Sequence, residues 1–175
     1  QPYNLNAAAQ VAAGRPQIAF SAAYGANSDG NANDYGMPGT LYFTDGAILD
    51  GAWFHHSGQI ILDTPEWKPD TLVISNVWAF FPMKGFRLSV TNDVRIEGAS
   101  GRLDIGGNAY WRTANEVLTF FYSSTTSFPA LQIGGNLTLT NGGQLYLYGG
   151  RTNDITPYYG ALLGVTGTAL VAGNS

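Results

Sequence analysis

The 175-residue sequence contains no cysteine, which excludes a disulfide framework and cysteine-based metal sites. Charge is also scarce: charged residues make up 11% of the chain, and 12 acidic against 8 basic residues give a net charge of −4. Because nucleic-acid affinity needs a basic field, we expect no nucleic-acid partner. The longest uninterrupted apolar run covers only residues 77–82, so we also expect no membrane insertion by a helix.

Glycine, asparagine, threonine and aromatic residues are abundant instead, with 23 Gly and 13% aromatics. The first residue is Gln rather than Met, from which we expect that the chain was cut from a longer precursor. Removal of a secretion signal would explain such a start. Low charge with much Gly, Asn and Thr is typical of secreted β-proteins, so we predict an extracellular or cell-surface location.

The sequence divides into an irregular first part, residues 1–39, and a regular second part, residues 40–175. Residues 1–14 form an Ala-rich arm, and residues 25–39 are a loop of Asn, Asp and Gly, which favour turns. After residue 39 short apolar runs alternate with Gly, Pro, Asn and Asp, and no helical period interrupts them. The pattern predicts an all-β domain with strands at residues 40–44, 52–55, 59–63, 71–75, 77–81, 86–91, 94–97, 102–105, 117–122, 130–133, 136–140, 144–148, 161–165 and 169–172.

An imperfect repeat organises the second part. Residues 88–96 and 131–139 carry apolar residues at the same four positions, each copy continues to a Gly pair, and residues 165–173 form a partial third copy. A unit of two short strands cannot make a core alone and must stack on its neighbours. The repeat therefore indicates a solenoid, although frequent short strands alone would also fit a β-sandwich or jelly roll.

Runs such as residues 134–145, GGNLTLTNGGQL, carry a family resemblance. Over about residues 70–175 the chain resembles the right-handed parallel β-helix of bacterial extracellular proteins, autotransporter-like and surface-fibre repeat proteins among them. The resemblance implies a β-helix preceded by the arm and loop. Similar proteins are mostly adhesins, passenger domains or fibres, with polysaccharide lyases and hydrolases as a minority.

One cation site is conceivable in the first loop, where oxygen-bearing side chains alternate as they do around calcium. These residues are Asp29, Asn31, Asn33 and Asp34. The sixth loop position holds Asp34 instead of Gly, and Thr40 replaces the bidentate Glu, so a plain turn-rich surface loop is the favoured interpretation. We expect no cofactor beyond, at most, a weakly bound calcium ion.

No motif predicts catalysis, because nucleophile elbows, phosphate loops and zinc spacings are missing from the sequence. His55 and His56 are adjacent, so on a strand their rings point to opposite faces and cannot share a metal. Nearby acids could in principle supply the carboxylate pair of a glycosidase, but solvated turn acids are the favoured interpretation. These acids are Asp45, Asp50, Asp63, Glu66 and Asp70. We therefore expect no enzyme.

Tyrosines predict a contact surface, because Tyr146 and Tyr148 alternate with aliphatic residues and should point outward. With Tyr158 and Tyr159 they form the expected binding or assembly surface. Asn136 begins the sequon Asn-Leu-Thr and is a weak glycosylation candidate.

These features together predict a structural extracellular protein, a self-assembling subunit of a cell-surface fibre, filament or adhesin. Its expected partners are copies of itself, joined head to tail, and surface polysaccharide. The alternative is a carbohydrate-binding or polysaccharide-cleaving β-helix protein.

Overall fold

A computed structural model of the chain describes residues 19–22, 39–83, 85–106, 129–148 and 160–173, and the backbone of two further strands at 110–113 and 116–119. Within these ranges all regular structure is β and no helix occurs, which confirms the predicted all-β class. The strands are β1 (Thr40–Phe43), β2 (Gly58–Leu62), β3 (Glu66–Trp67), β4 (Leu72–Ser75), β5 (Trp78–Phe81), β6 (Arg87–Val90), β7 (Val94–Glu97), β8 (Arg102–Ile105), β9 (Tyr110–Thr113), β10 (Glu116–Thr119), β11 (Ala130–Ile133), β12 (Leu137–Thr140), β13 (Gln144–Leu147), β14 (Leu162–Val165) and β15 (Ala169–Ala172).

Thirteen of these strands form three parallel sheets. Sheet 1 has the order β1-β2-β5-β8-β13, sheet 2 the order β14-β11-β6-β3, and sheet 3 the order β15-β12-β7-β4. Strands β9 and β10 pair separately and are antiparallel. Sandwiches and jelly rolls are built from antiparallel neighbours, so that alternative from the sequence is wrong for the three large sheets.

The chain visits the sheets in a fixed order. It runs through β3, β4 and β5, then β6, β7 and β8, then β11, β12 and β13, and finally β14 and β15. We call each such set, which takes one strand from each sheet, a rung. Consecutive strands lie in different sheets, so a strand meets its sheet neighbour only after the chain has passed through the other two sheets. Such long connections suit parallel neighbours, because parallel strands cannot be joined by a tight hairpin.

The repeat predicted from the sequence coincides with the observed register of the strands in sheets 2 and 3. Leu131 lies beside Leu88 in sheet 2, and Leu137 lies beside Val94 in sheet 3. In the partial third copy, Val165 and Ala169 continue the same two rows. Equivalent apolar positions of successive copies therefore stack in line across the rungs.

The inward residues of each rung build the core. Leu88, Ile96, Leu103 and Ile105 are fully buried, as expected where alternate residues of a strand share one face. Aromatic rings continue this core at the β1 end of the stack, where Phe81 packs on Phe86 with ring centroids 4.9 Å apart.

A side-chain ladder fixes the turn that enters sheet 3. Asp93 Oδ1 accepts hydrogen bonds from the backbone N–H of Asn136 at 2.7 Å and from Asn136 Nδ2 at 3.1 Å. Asn136 Oδ1 in turn accepts from the N–H of Thr168 at 2.9 Å. One polar side chain per rung thus bonds to the backbone of the next rung and holds the rungs in register.

Four predicted strands have the observed bounds, namely β7, β8, β11 and β15. The prediction at residues 52–55 is wrong, since only Phe54 forms an isolated bridge there, to Ile74. A turn at Asp50, whose carboxylate accepts from the N–H of Ala52, interrupts that segment. Strands β3 and β9 were not predicted, and β3 has only two residues, too few for an alternating pattern.

The boundary predicted at residue 39 has contacts across it. Phe20 and Ala22, both in the predicted arm and loop region, exchange backbone hydrogen bonds with Ser57 at 2.9 and 2.8 Å. Residues 19–22 therefore pack on the regular part of the chain.

Candidate functional site

The rung formed by β14 and β15 is partly exposed in the described part of the chain. Strands β14 and β15 each have a strand neighbour on one side only in the part of the chain that the structure describes. Their inward residues Leu163 and Val171 are 44% and 61% exposed, whereas Leu131, the register partner of Leu163, is fully buried. The end of the stack consequently presents core-type side chains and strand edges that another strand could cover.

The opposite end of sheet 1 is also an edge. Strand β1 pairs with β2 on one side and has no strand on its other side among the described residues. Its Leu41 and Phe43 pack against the core but stay half-buried, while Tyr42 is 58% exposed. Within the described ranges, side chains of this edge therefore remain partly exposed.

An aromatic and charged cluster covers the outer face of sheet 1, which we call the Arg102 cluster: Trp78, Arg102, Asp104, Tyr146 and Tyr148. The Arg102 guanidinium lies between two rings, 4.6 Å from the Trp78 centroid and 4.4 Å from the Tyr146 centroid. Tyr146 and Tyr148 stack with centroids 6.1 Å apart. Cation–π contacts and stacking thus hold three strands together on their outer side.

Asp104 anchors this cluster. It accepts hydrogen bonds from Arg102 Nε at 2.8 Å, Arg102 Nη2 at 2.7 Å and Trp78 Nε1 at 3.1 Å. The position lies on the outward face, yet Asp104 is only 2% exposed. The ion pair forms along one strand, and the rings around it exclude water.

Burial and pairing act on the charges in opposite directions. Burial raises the pKa of Asp104 above its ordinary value, while the bonds from Arg102 and Trp78 act against that rise. The Asp104 carboxylate raises the pKa of Arg102. Burial also raises the pKa of Tyr148, whose hydroxyl lies 3.2 Å from Arg102 Nη2. Because three hydrogen bonds from Arg102 and Trp78 engage its carboxylate, we assign Asp104 to a structural role.

Tyr146 points outward as predicted and is 40% exposed, so one tyrosine of the cluster faces solvent. Trp78 was not singled out in the sequence. Only its position beside Arg102 in the strand register reveals its role. Tyr158 and Tyr159 lie outside the described residues.

Acidic side chains gather in a groove of about 650 Å³ near the β1 end of the stack. Four of the five predicted acids line it, namely Asp45, Asp50, Glu66 and Asp70, whereas Asp63 does not. Asp45 and Asp50 accept from the N–H groups of Ala47 and Ala52, as expected of turn acids.

Glu66 in the same groove is held ionised. Lys68 Nζ lies 2.9 Å from one carboxylate oxygen and Ser89 Oγ donates to the other at 2.8 Å. Lys68 and then Ser89 lower the pKa of Glu66 below its ordinary value. A carboxylate in this setting is a poor proton donor, so Glu66 is a poor candidate for the acid of a glycosidase.

The two histidines point to opposite sides, as predicted. The His55 ring stacks on Trp53 with centroids 3.9 Å apart. The His56 ring is 2% exposed, packs against Phe20 and Phe54, and accepts a bond from the Phe20 N–H at Nδ1. Burial, and next the charge of His55, lower the pKa of His56.

Two predicted sites remain, the calcium loop and the glycosylation sequon at Asn136. The calcium candidates Asp29, Asn31, Asn33 and Asp34 lie outside the described residues, and elsewhere no three metal-ligating side chains cluster in the described part. Asn136 is exposed, but its Nδ2 already donates to Asp93. Glycosylation there stays a prediction.

No protein-family model matches the chain, and neither the curated proteins nor the solved structures give a match. In the described ranges no helix is long and apolar enough to cross a membrane.

Proposed function

We propose that this chain is a structural extracellular protein, a self-assembling subunit of a cell-surface fibre, filament or adhesin, without catalysis of its own. In this proposal the three parallel sheets close into a right-handed parallel β-helix, a β-solenoid, and copies of the chain join head to tail. The carrying observation is the open last rung, where Leu163 and Val171 are exposed although they occupy core positions of the repeat.

Burial of such side chains supplies the driving force. Taking an exposed Leu or Val side chain fully out of water contributes about 1.5–3 kcal/mol. Strands that pair with β14 and β15 add backbone hydrogen bonds. When two different surfaces of the same protein bind each other head to tail, each added copy leaves a free surface for the next one. Such a contact yields filaments unless it closes into a ring.

The test compares two neighbouring residues of β15. Val171 points inward and Leu170 outward, in register with Arg95, and both are well exposed, at 61% and 51%. Val171→Asp should abolish filaments seen by electron microscopy and light scattering, because it places a charge in the buried joint. Leu170→Asp should leave them intact. Both variants should keep the melting temperature of the monomer.

An intact chain that stays monomeric at high concentration would refute the assembly. Equal effects of the two substitutions would show that the inward face of β15 is not the contact.

Carbohydrate binding is the second candidate, favoured by the exposed Tyr146 ring beside Arg102. A screen of soluble polysaccharides for binding and for release of new chain ends tests it. Turnover that Asp50→Asn or Asp63→Asn removes would replace the structural proposal by an enzymatic one.

A further inference from the structure

Residues 19–22, which we call the strap, lie beside the start of β2 and are attached there by few contacts. The Phe20 carbonyl oxygen accepts a hydrogen bond from the Ser57 N–H at 2.9 Å, and the Ala22 N–H donates to the Ser57 carbonyl oxygen at 2.8 Å. Ser21 and Ser57 form a single isolated parallel bridge, whereas β1 aligns four residues with β2. A segment attached by one bridge opens more readily than a strand in a full ladder.

The His56 side chain makes the third polar contact with the strap. Its Nδ1 accepts a hydrogen bond from the Phe20 N–H at 3.2 Å, so the neutral ring carries its proton on Nε2. The ring is 2% exposed and stacks on the Phe20 ring, with centroids 5.5 Å apart. Phe20 also contacts the Phe43 ring, at 5.9 Å. His56 thus binds the strap both through Nδ1 and through the face of its ring.

We propose that His56 is a pH switch, and that its protonation releases the strap from Ser57 and uncovers the His56 ring and the side of Phe43 that Phe20 contacts. The switch does not depend on the proposed assembly, since all of these residues belong to one molecule. It would give the chain two forms, one with the strap attached in neutral medium and one with the strap released in mildly acidic medium.

Protonation removes the contact at Nδ1. Both ring nitrogens of an imidazolium are donors, so an N–H at Nδ1 would face the N–H of Phe20 and the hydrogen bond would be lost. The elements packed against the ring present the uncharged rings of Phe20, Phe43 and Phe54. In the described part of the chain, the titratable neighbour that acts on His56 is His55, whose charge disfavours a second one. Release of the strap lets water solvate the new charge, which outweighs the remaining attraction between a cation and the Phe20 ring.

The pH range follows from the direction of the pKa shift. Burial, and next the charge of His55, lower the pKa of His56 while the strap is attached. After release the ring meets water, and its pKa returns toward the ordinary value of 6.5. The released form therefore binds a proton more readily. The strap is held fully above pH about 6.5, and below it the ratio of released to attached molecules rises up to tenfold per pH unit until the pH reaches the pKa of the attached form.

Amide hydrogen exchange measured between pH 7 and pH 5 tests the switch, with rates corrected for the pH dependence of exchange in an unfolded chain. The amides of Ala22 and Ser57, which bond across the strap, should lose most of their protection at pH 5. The amides of Asn92 and Gly134, which bond between later rungs, should stay protected. Unchanged protection at Ala22 and Ser57 would overturn the switch. Loss of protection at all four amides together would also overturn it, because acid would then unfold the whole stack.

The two adjacent histidines supply a matched pair of variants. His56→Asn keeps an acceptor for the Phe20 N–H but does not titrate, so its strap should stay attached at pH 5. His55→Asn removes the ring that lies on Trp53 and leaves Nδ1 of His56 in place, so its strap should still be released by acid. Equal responses of the two variants would show that His56 is not the switch.

A disulfide between strap and β2 gives a second test, because the chain has no cysteine of its own. Ser21 and Ser57 are bridge partners, and neighbouring strands lie about 4.8 Å apart, within the Cα distance that a disulfide spans. Oxidised Ser21→Cys/Ser57→Cys should keep the Ala22 amide protected at pH 5, and the reduced form should lose that protection. Equal loss in both forms would overturn the switch. Failure of the disulfide to form in the folded protein at pH 8 would overturn it too, since the strap would then not be attached at Ser57.

Discussion

Arg102→Met should be strongly destabilising, because it leaves the Asp104 carboxylate buried without its main partner. Asp104 has a side chain only 3% exposed and receives two of its hydrogen bonds from Arg102 at 2.7–2.8 Å. Removing one member of a buried ion pair costs about 3–5 kcal/mol. The bond from Trp78 at 3.1 Å remains, so we expect about 3 kcal/mol, at the lower end of that range.

The structure provides a matched control in Arg95, which pairs with Glu97 along β7 as Arg102 pairs with Asp104 along β8. That pair is longer, 3.4 Å, and its side chains are 54% and 27% exposed. Exposed pairs contribute about 0–1 kcal/mol, so Arg95→Met should change stability little. Urea unfolding followed by circular dichroism measures both variants.

Acid should partly rescue Arg102→Met. Burial raises the pKa of Asp104, and loss of the guanidinium removes what opposed the rise. The folded state then binds a proton more readily than the unfolded state, so stability falls as pH rises through the raised pKa and recovers below it. Adding Asp104→Asn should likewise recover about 2 kcal/mol at pH 7 by removing the charge. A loss under 1 kcal/mol, or one equal at pH 4 and pH 7, would refute the reasoning.

Two further predictions concern His56 and the close contact between rungs. His56 is buried with a lowered pKa, so its neutral form stabilises the fold above pH about 6.5 and this stability is lost as pH falls through the folded-state pKa. The melting temperature should therefore drop from pH 7 to pH 5. The drop should be smaller in His56→Asn, which keeps an acceptor for the Phe20 N–H. Equal drops in the two proteins would contradict the role of His56. Gly134→Ala should lower the free energy of unfolding in urea by about 1–3 kcal/mol, because the new Cβ would meet the Thr91 carbonyl oxygen. Gly160→Ala, where the new Cβ has open space, should lower it little. Similar losses would contradict tight packing between rungs at Gly134.

The sequence alone determined the register of the stack. The apolar positions of residues 88–96, 131–139 and 165–173 coincide, and the same positions align across sheets 2 and 3. Strand alternation carries this information, because a side chain that must face inward in every rung recurs at the same place in the repeat. Strands without a full alternating pattern, such as β3, gave no such signal.

Only the tertiary structure decided which polar residues are buried. Asp104 and Glu97 occupy similar outward positions on neighbouring strands, yet the first is 2% exposed and the second is half-buried. The difference comes from Trp78 one rung earlier and Tyr148 one rung later, which reach the Arg102 cluster from distant parts of the chain. Local sequence cannot encode this environment, because burial of a charge depends on which side chains the neighbouring rungs place around it.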